Sequence, residues 1–439
     1  MLDIAGADRS TSAAGWSIHL VGRNPVSAAR LDLGLSLCYR DTMRVLVMTK
    51  IFPNQRQPGL APFLRRQCGA LAKQCHLDVL GTIPWFPGAK LFKSFTRGGV
   101  DLSTVPEWED IDGLRVRHPR FAYVPGAYLP SAALYAASLW PVVRRYRGNI
   151  DVILATWAYP DGVAAWMLAK MLDVPLVVQV IGSDIDVVSK QLSARVQLKW
   201  AMPRAHGVIA VSRELAQRCI DLGAQPEATH VICTGVDREL FRPADRSEAK
   251  RALGQPEDVR LLLFVGRLCV DKGLRELVAA FKQAWAQDRS LRLVIIGDGP
   301  LLRELQEEAR ALSGNMLVQG ALPSTQIARW LAASQLLALP SHHEGTPNVV
   351  LEALSAGRPV VATRVGGIPD LIGEPNRGEL VAVRDTEGLA QALARVAYLE
   401  PNADALAAAP ELYDWDENAR RMITVLRGAC AKTKPGDHV

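Results

Sequence analysis

The stretch Ser341-His342-His343-Glu344-Gly345-Thr346-Pro347-Asn348-Val349-Val350-Leu351-Glu352-Ala353 joins a carboxylate, a glycine turn, a helix start and a second carboxylate in one compact unit. The run Gln335 to Leu339 before it reads as a buried strand. Thr346 is expected to cap a helix. Pro347 suits the first helical position, where a missing N–H costs nothing, and Val349 to Leu354 continues the helix. A strand therefore delivers a helix N-terminus beside Glu344. The unpaired N–H groups and the dipole of such a terminus favour a phosphate or another anion. Glu352 falls two turns in, on roughly the same face as the entry.

The same strand-then-helix pattern extends outward from this unit. Toward the N-terminus it occurs at Val45 to Thr49, Asp78 to Thr82, Asp151 to Thr156, Pro175 to Ile181, Gly207 to Val211 and Val231 to Thr234. A polar segment, Arg238 to Val259, interrupts it, and it restarts at Leu261 to Val265, Leu291 to Ile296, Met316 to Gln319 and Pro359 to Thr363. Such alternation predicts parallel sheets covered by helices. The expected fold class is α/β, with two doubly wound Rossmann-like domains, 43–240 and 259–408, facing across a cleft. Ligands in such folds gather at the carboxyl ends of the strands. A last helix is expected over 409–430. Residues 1–42 show little periodicity and are expected to be a disordered extension.

The chain has 439 residues, 49% of them hydrophobic, enough to bury two large cores. Its seven cysteines are odd in number and scattered, without metal-ligand spacing, which argues against a zinc site or a disulfide framework and for a reducing, cytoplasmic setting. No secretory signal and no membrane-spanning run is read; the longest apolar run, Ala132 to Val143, is too short. The formal net charge of +6 suits an anionic partner. No nucleic-acid-binding module is recognisable, so nucleic acid is not expected as a partner.

Three further elements follow strands of the second half. Gly266-Arg267-Leu268-Cys269-Val270-Asp271-Lys272-Gly273 presents two cations at a strand end: Arg267 a fork for two phosphate oxygens, Lys272 a point charge. Gly297-Asp298-Gly299-Pro300 ends the next strand and reads as a backbone-shaping turn. Gly366-Gly367-Ile368-Pro369-Asp370 adds a tight turn. Together with the E-x7-E pair Glu344 and Glu352, these elements resemble, in order and spacing over Leu261 to Ile372, the donor half of retaining family-4 glycosyltransferases with the GT-B fold. The resemblance implies a nucleotide-diphosphate sugar as co-substrate, with no separate cofactor and no metal. It implies that Arg267 and Lys272 bind the diphosphate and that Glu344 contacts the donor sugar. Gly345, Thr346, Pro347 and Asn348 form the helix start that meets sugar hydroxyls or phosphate, and Glu352 holds the ribose. Gly266 and Gly297 shape the cleft, and the last helix crosses back to the first domain.

The first half matches less well. Pro58-Gly59 lies where the family keeps a glycine near the phosphate and acceptor. Ile181-Gly182-Ser183-Asp184 resembles an H-G-x-D turn with Ile181 in the histidine position, leaving Asp184 available for an acceptor hydroxyl. Thr156-Trp157-Ala158-Tyr159-Pro160-Asp161-Gly162 resembles H-W-x-Y-P-x-G, with Thr156 where a histidine lies near the reacting centre. Threonine cannot act as a base near neutral pH. Either the reaction does not need that imidazole, or Asp161, Asp184 or a donor phosphate oxygen does the work, or activity is lost; Asp161 also reads as a helix cap before Gly162 to Met171.

Trp85 to Arg97 and Ser189 to His206 carry aromatics and cations without acids, a pattern that suits contact with an anionic membrane at its inner face. The expected function is transfer of a sugar to a hydroxyl of a glycan or lipid-linked acceptor in cell-surface polysaccharide or glycolipid synthesis. The alternatives are a nucleotide-sugar epimerase and a degenerate nucleotide-sugar-binding protein without turnover.

Overall fold

In chain order the first half carries β1 (Arg44–Thr49), β2 (His76–Gly81), β3 (Ile83–Trp85), β4 (Trp108–Ile111), β5 (Leu114–Arg117), β6 (Arg120–Ala122), β7 (Val152–Ala155), β8 (Leu176–Val180), β9 (Gly207–Ala210) and β10 (Thr229–Val231). The computed structural model describes residues 42–86, 100–123, 128–186 and 191–432. The expected disordered extension, residues 1–42, lies outside the described residues but for its last position, as does most of the Trp85 to Arg97 segment.

Eight of these strands form the sheet β10-β9-β8-β7-β1-β2-β5-β4, parallel except for the β4–β5 hairpin. The central strands β1, β7, β8 and β9 are buried along nearly their whole length, which is why they read as unbroken apolar runs. The chain winds outward from β1 in one direction and from β7 in the other, so a crevice opens at their carboxyl ends. β3 and β6 form a separate parallel pair.

The second half carries β11 (Arg260–Val265), β12 (Leu291–Ile296), β13 (Met316–Val318), β14 (Leu336–Leu339), β15 (Val360–Thr363) and β16 (Gly378–Val381) in the order β13-β12-β11-β14-β15-β16, parallel throughout. Here the winding reverses between β11 and β14. The two loops that open this crevice are therefore the ones beginning at Gly266 and Pro340.

The last helix, Trp415–Ala431, is capped by Asp414 and crosses to the first half. Its Met422, Ile423, Leu426 and Ala429 join Val45, Val47, Val152, Leu154, Val177 and Ile209 in one buried cluster. Lys73 holds Asp416 at 2.9 Å, and the Asn418 amide donates to the Cys233 carbonyl at 2.6 Å.

The segment expected to be a polar linker, Arg238 to Val259, is instead built into the second half. Phe241 lies in that half's core, and Asp245 caps a helix over Arg246–Ala252. Arg358 donates to Ala244 O, and Lys250 donates to the Glu257 and Val259 carbonyls. Lys250 and Arg358 are buried and spend their charge on backbone carbonyls. The expected strand Val231 to Thr234 sits earlier, at Thr229–Val231. No helix among the described residues is long and apolar enough to cross a membrane.

Candidate functional site

Glu344 sits in the loop after β14, directly across the crevice from the loop after β11. The Lys272 ammonium donates to its Oε1 at 2.5 Å, and the Ser341 hydroxyl donates to the same oxygen at 2.7 Å. Both charged side chains are largely buried. Lys272 ends a short 3-10 turn, Val270–Lys272, and the chain then passes through Gly273 at φ 65° into a helix. A Cβ at Gly273 would stand 2.0 Å from Pro340 O, so glycine alone lets the two loops meet and brings Lys272 to Glu344. Arg267 precedes this turn and is exposed, with its guanidinium in no hydrogen bond or ion pair among the described residues.

Gly266 and Gly297 lie against each other: a Cβ on Gly297 would meet Gly266 O at 1.8 Å. Leu268 N–H donates to Asp298 O at 2.8 Å and Leu301 N–H to Leu268 O at 3.0 Å, locking the two strand-end loops together. Glycine at both positions lets the two strand ends close on each other.

The helix after Glu344 spans Asn348–Ser355, with Pro347 in the capping position and no side chain bonded to its first turn. This corrects the reading of Thr346 as the cap. The Thr346 hydroxyl donates instead to Val211 O in the first half, at 2.5 Å. Val350 N–H donates to Pro347 O at 3.0 Å, and the Asn348 and Val349 N–H groups keep their capacity for an anion or a hydroxyl.

This helix start is also where the two halves meet. A Cβ on Gly345 would lie 2.1 Å from Ile181 O. The Thr234 hydroxyl donates to Asn348 Oδ1 at 2.7 Å, and Arg213 N–H to Asp370 Oδ2 at 2.8 Å. Gly366 and Gly367 press on the Glu344–Gly345 turn from behind, with Gly367 N–H donating to Gly345 O at 2.6 Å. Glu352, two turns in, has its pKa pushed up to about 7 by burial, with the Arg66 charge opposing and Asp237 adding to the shift. Arg66 lies on Pro62–Ala72, a helix of the first half, and pairs with Asp237 at 3.8 Å.

On the first half's wall, Asp184 is fully buried, and its oxygens accept N–H groups of Ala158 at 2.8 Å, Gly182 at 2.8 Å and Ile181 at 3.1 Å. Burial raises its pKa, and these bonds oppose the rise. The expectation that Asp184 is available to an acceptor hydroxyl is thus corrected: it ties the loops after β7 and β8 together. Asp161 is not a side-chain cap either. It is fully buried in the turn Ala158–Gly162, and Oδ1 accepts the Tyr135 hydroxyl at 3.0 Å. Thr82 Oγ1 lies 2.5 Å from that hydroxyl. Burial pushes the Asp161 pKa up to about 6, partly offset by the Lys50 charge and the Tyr135 bond. The Thr156 hydroxyl is buried without a hydrogen-bond partner at the carboxyl end of β7. Gly59 stands apart from all of these, exposed, with open space where a side chain would go.

Sequence reasoning missed Ser341, Thr234, Tyr135 and Arg66. Ser341 lies three residues from Glu344 and was within reach of inspection. The others act across 26 to 114 positions or more and leave no local signal.

Models of two protein families match the chain: "Glycosyltransferase Family 4" over residues 96–240 and "Glycosyl transferases group 1" over 259–398. A Bacillus subtilis glycosyltransferase named for teichuronic acid biosynthesis is 30% identical over 360 residues, covering 80% of this chain and 89% of the relative. A D-inositol 3-phosphate glycosyltransferase of Xylanimonas cellulosilytica is 30% identical over 331 residues, 69% of this chain and 78% of the relative. Among solved structures, sucrose-phosphate synthase from Thermosynechococcus elongatus superposes with a TM-score of 0.69 at 20% identity, covering 89% of this chain and 100% of that one. HepE of Anabaena, solved in complex with UDP-glucose, superposes with a TM-score of 0.60 at 22% identity, covering 88% and 99%. These neighbours share the GT-B fold.

Proposed function

The chain belongs to glycosyltransferase family 4, and from that premise we propose that it is a retaining enzyme that moves a sugar from a nucleotide-diphosphate sugar to a hydroxyl of a glycan or lipid-linked acceptor. The observation that carries the reading is the buried Lys272–Glu344 pair beside an uncapped helix N-terminus at the switch point between β11 and β14. An ammonium has three donors, and Glu344 takes one of them, so two remain for diphosphate oxygens. Glu344 Oε1 accepts from both Lys272 and Ser341, which leaves Oε2 to accept a sugar hydroxyl. The exposed, unpaired Arg267 adds a second cation for the leaving diphosphate without a metal. HepE's complex with UDP-glucose supports a nucleotide-sugar donor, and the relative named for teichuronic acid biosynthesis supports a role in cell-surface polysaccharide synthesis.

On the acceptor side Thr156 supplies no base and Asp184 is committed to backbone. The step that fits is front-face transfer. The bond from the anomeric carbon to the phosphate oxygen breaks, the acceptor oxygen bonds to that carbon on the same face, and the acceptor proton passes to the departing phosphate oxygen. Asp161 shapes this wall from beneath rather than receiving the proton. Membership in a transferase family sets the epimerase alternative aside.

Incubation with a panel of nucleotide-sugars, with and without membrane extract, tests the proposal. Nucleotide release that depends on the extract is expected. It should fall by about two to three orders of magnitude in Glu344→Ala and Lys272→Ala, with the circular dichroism spectrum unchanged. Binding without release would mean a protein without turnover, and wild-type rates in both variants would refute the site.

A further inference from the structure

The helix Leu192–Ala201 links β8 to β9 and packs its Ala194, Leu198 and Ala201 into the core of the first half. Its outward face is made by Leu192, Arg195, Val196, Lys199 and Trp200, positions that fall on one side of a helix. That face normally carries polar and charged residues of both signs. Here Leu192 is 78% exposed, Val196 58% and Trp200 40%, and the charged residues among them are both cations.

The surface continues beyond the helix. Trp200 meets Trp166 edge-on at 4.0 Å, and Trp166 belongs to the neighbouring helix Val163–Leu172. Exposed Met171 and Lys170 lie on that helix, with Lys170 over the Trp166 ring. Arg147 is anchored beside them by donating to Met171 O at 2.7 Å, and Arg204 lies over the Trp200 ring. Asp173 is the one exposed carboxylate in this run of the Val163–Leu172 helix end. Apolar side chains set among Lys170, Arg195, Lys199 and Arg204 are complementary to a bilayer surface that presents anionic headgroups over acyl chains.

We propose that this face, formed by Leu192, Val196 and Trp200 with Arg195, Lys199, Lys170 and Arg204, docks the protein on an anionic phospholipid membrane. The apolar side chains enter the headgroup–acyl boundary while the cations pair with lipid phosphates. The face is connected to the cleft: Gln197 donates to the Tyr159 hydroxyl at 3.4 Å, and Tyr159 lies in the turn that holds Asp161. A membrane-borne acceptor would thus reach the crevice from the side on which the protein rests. The inference stands on surface chemistry and does not depend on which sugar or nucleotide is used.

The test is flotation of the full chain with phosphatidylcholine vesicles that contain or lack phosphatidylglycerol, at low and high salt. Wild-type protein is expected to float only with phosphatidylglycerol present and to be released by salt. Leu192→Ser with Val196→Ser, and separately Arg195→Glu with Lys199→Glu, should each weaken vesicle binding by about tenfold or more. Nucleotide-sugar binding measured on the same preparations without membrane should stay at the wild-type level, since none of these residues lines the donor crevice, while release with membrane extract should fall along with docking. Absence of wild-type flotation on phosphatidylglycerol at low salt would overturn the proposal, as would flotation of both variants at the wild-type level. Self-association of wild type that the Leu192/Val196 variant abolishes would assign the face to a second copy of the chain instead.

Discussion

Replacing Gly345 by alanine places one methyl group between the two halves of the molecule. The new carbon would stand 2.1 Å from Ile181 O, where 3.0 Å is the closest such contacts come, and its next neighbours are Ile181 C and Gly182 Cα. Every atom in its way is backbone, so no rotamer change relieves the contact, and the halves must part by about 1 Å at this point. Overpacking of this kind costs about 1–3 kcal/mol. The cost falls on the contact between halves rather than within either core, because Gly345 itself is not in the left-handed region and accepts alanine locally. Catalysis across a cleft needs both walls together. A cost of that size lowers the population of the joined state, and with it kcat/KM, by about fivefold to 150-fold. Steady-state turnover alongside thermal unfolding measures both consequences: a large kinetic loss and a Tm within about 2 °C of wild type. Gly428→Ala, where nothing lies within 4 Å, is the control and should be silent in turnover. A kcat/KM within twofold of wild type would show that the Gly345–Ile181 approach has no part in turnover. A Tm collapse would show that the strain stays inside one half.

Two further perturbations follow from buried carboxyls. Glu352 has its pKa raised from 4.5 to about 7, so between those values the folded chain holds a proton that the unfolded chain releases. Stability should fall as pH rises through this window, by about 3 kcal/mol, and Glu352→Gln should flatten the dependence. Urea midpoints at several pH values check this, and parallel curves for the two proteins would refute it. Tyr135→Phe removes the hydroxyl donor from buried Asp161, whose pKa is already about 6. The loss should be about 1–3 kcal/mol and larger at pH 8, where Asp161 is ionised, than at pH 5, where it carries a proton. An equal loss at both would mean that Asp161 is not the group affected.

The central strands were readable because burial on both faces leaves unbroken apolar runs, as in Leu261 to Val265 and Leu291 to Ile296. The β4–β5 hairpin escaped notice although Asp112-Gly113 signals it, both residues taking positive φ in the turn. Its strands are half-exposed and carry Glu109, Asp110, Arg115 and Arg117, so no apolar run marks them. Among site residues, Lys272 and Glu344 declared themselves by charge at strand ends. What local sequence could not give is which oxygen a side chain serves. Thr346 resembles a cap in its own segment and is claimed by Val211, 135 positions away. Asp184 resembles an acceptor ligand and is claimed by three amides. Competition from distant backbone decides such cases, and spacing along the chain does not record it.

The Asn348–Ser355 helix, without a side-chain cap, is an unfinished piece of secondary structure. On the proposed function, a bound phosphate or sugar hydroxyl would complete that helix, and its binding energy would double as folding energy. Selection on such a protein works against the commonest stabilising change at a helix start. An aspartate in place of Pro347 would cap the first turn, and the same carboxylate would occupy the position that the donor needs and repel its charge. Tolerance for an incomplete helix is the condition under which backbone amides can join Lys272, Arg267 and Glu344 in holding the proposed donor.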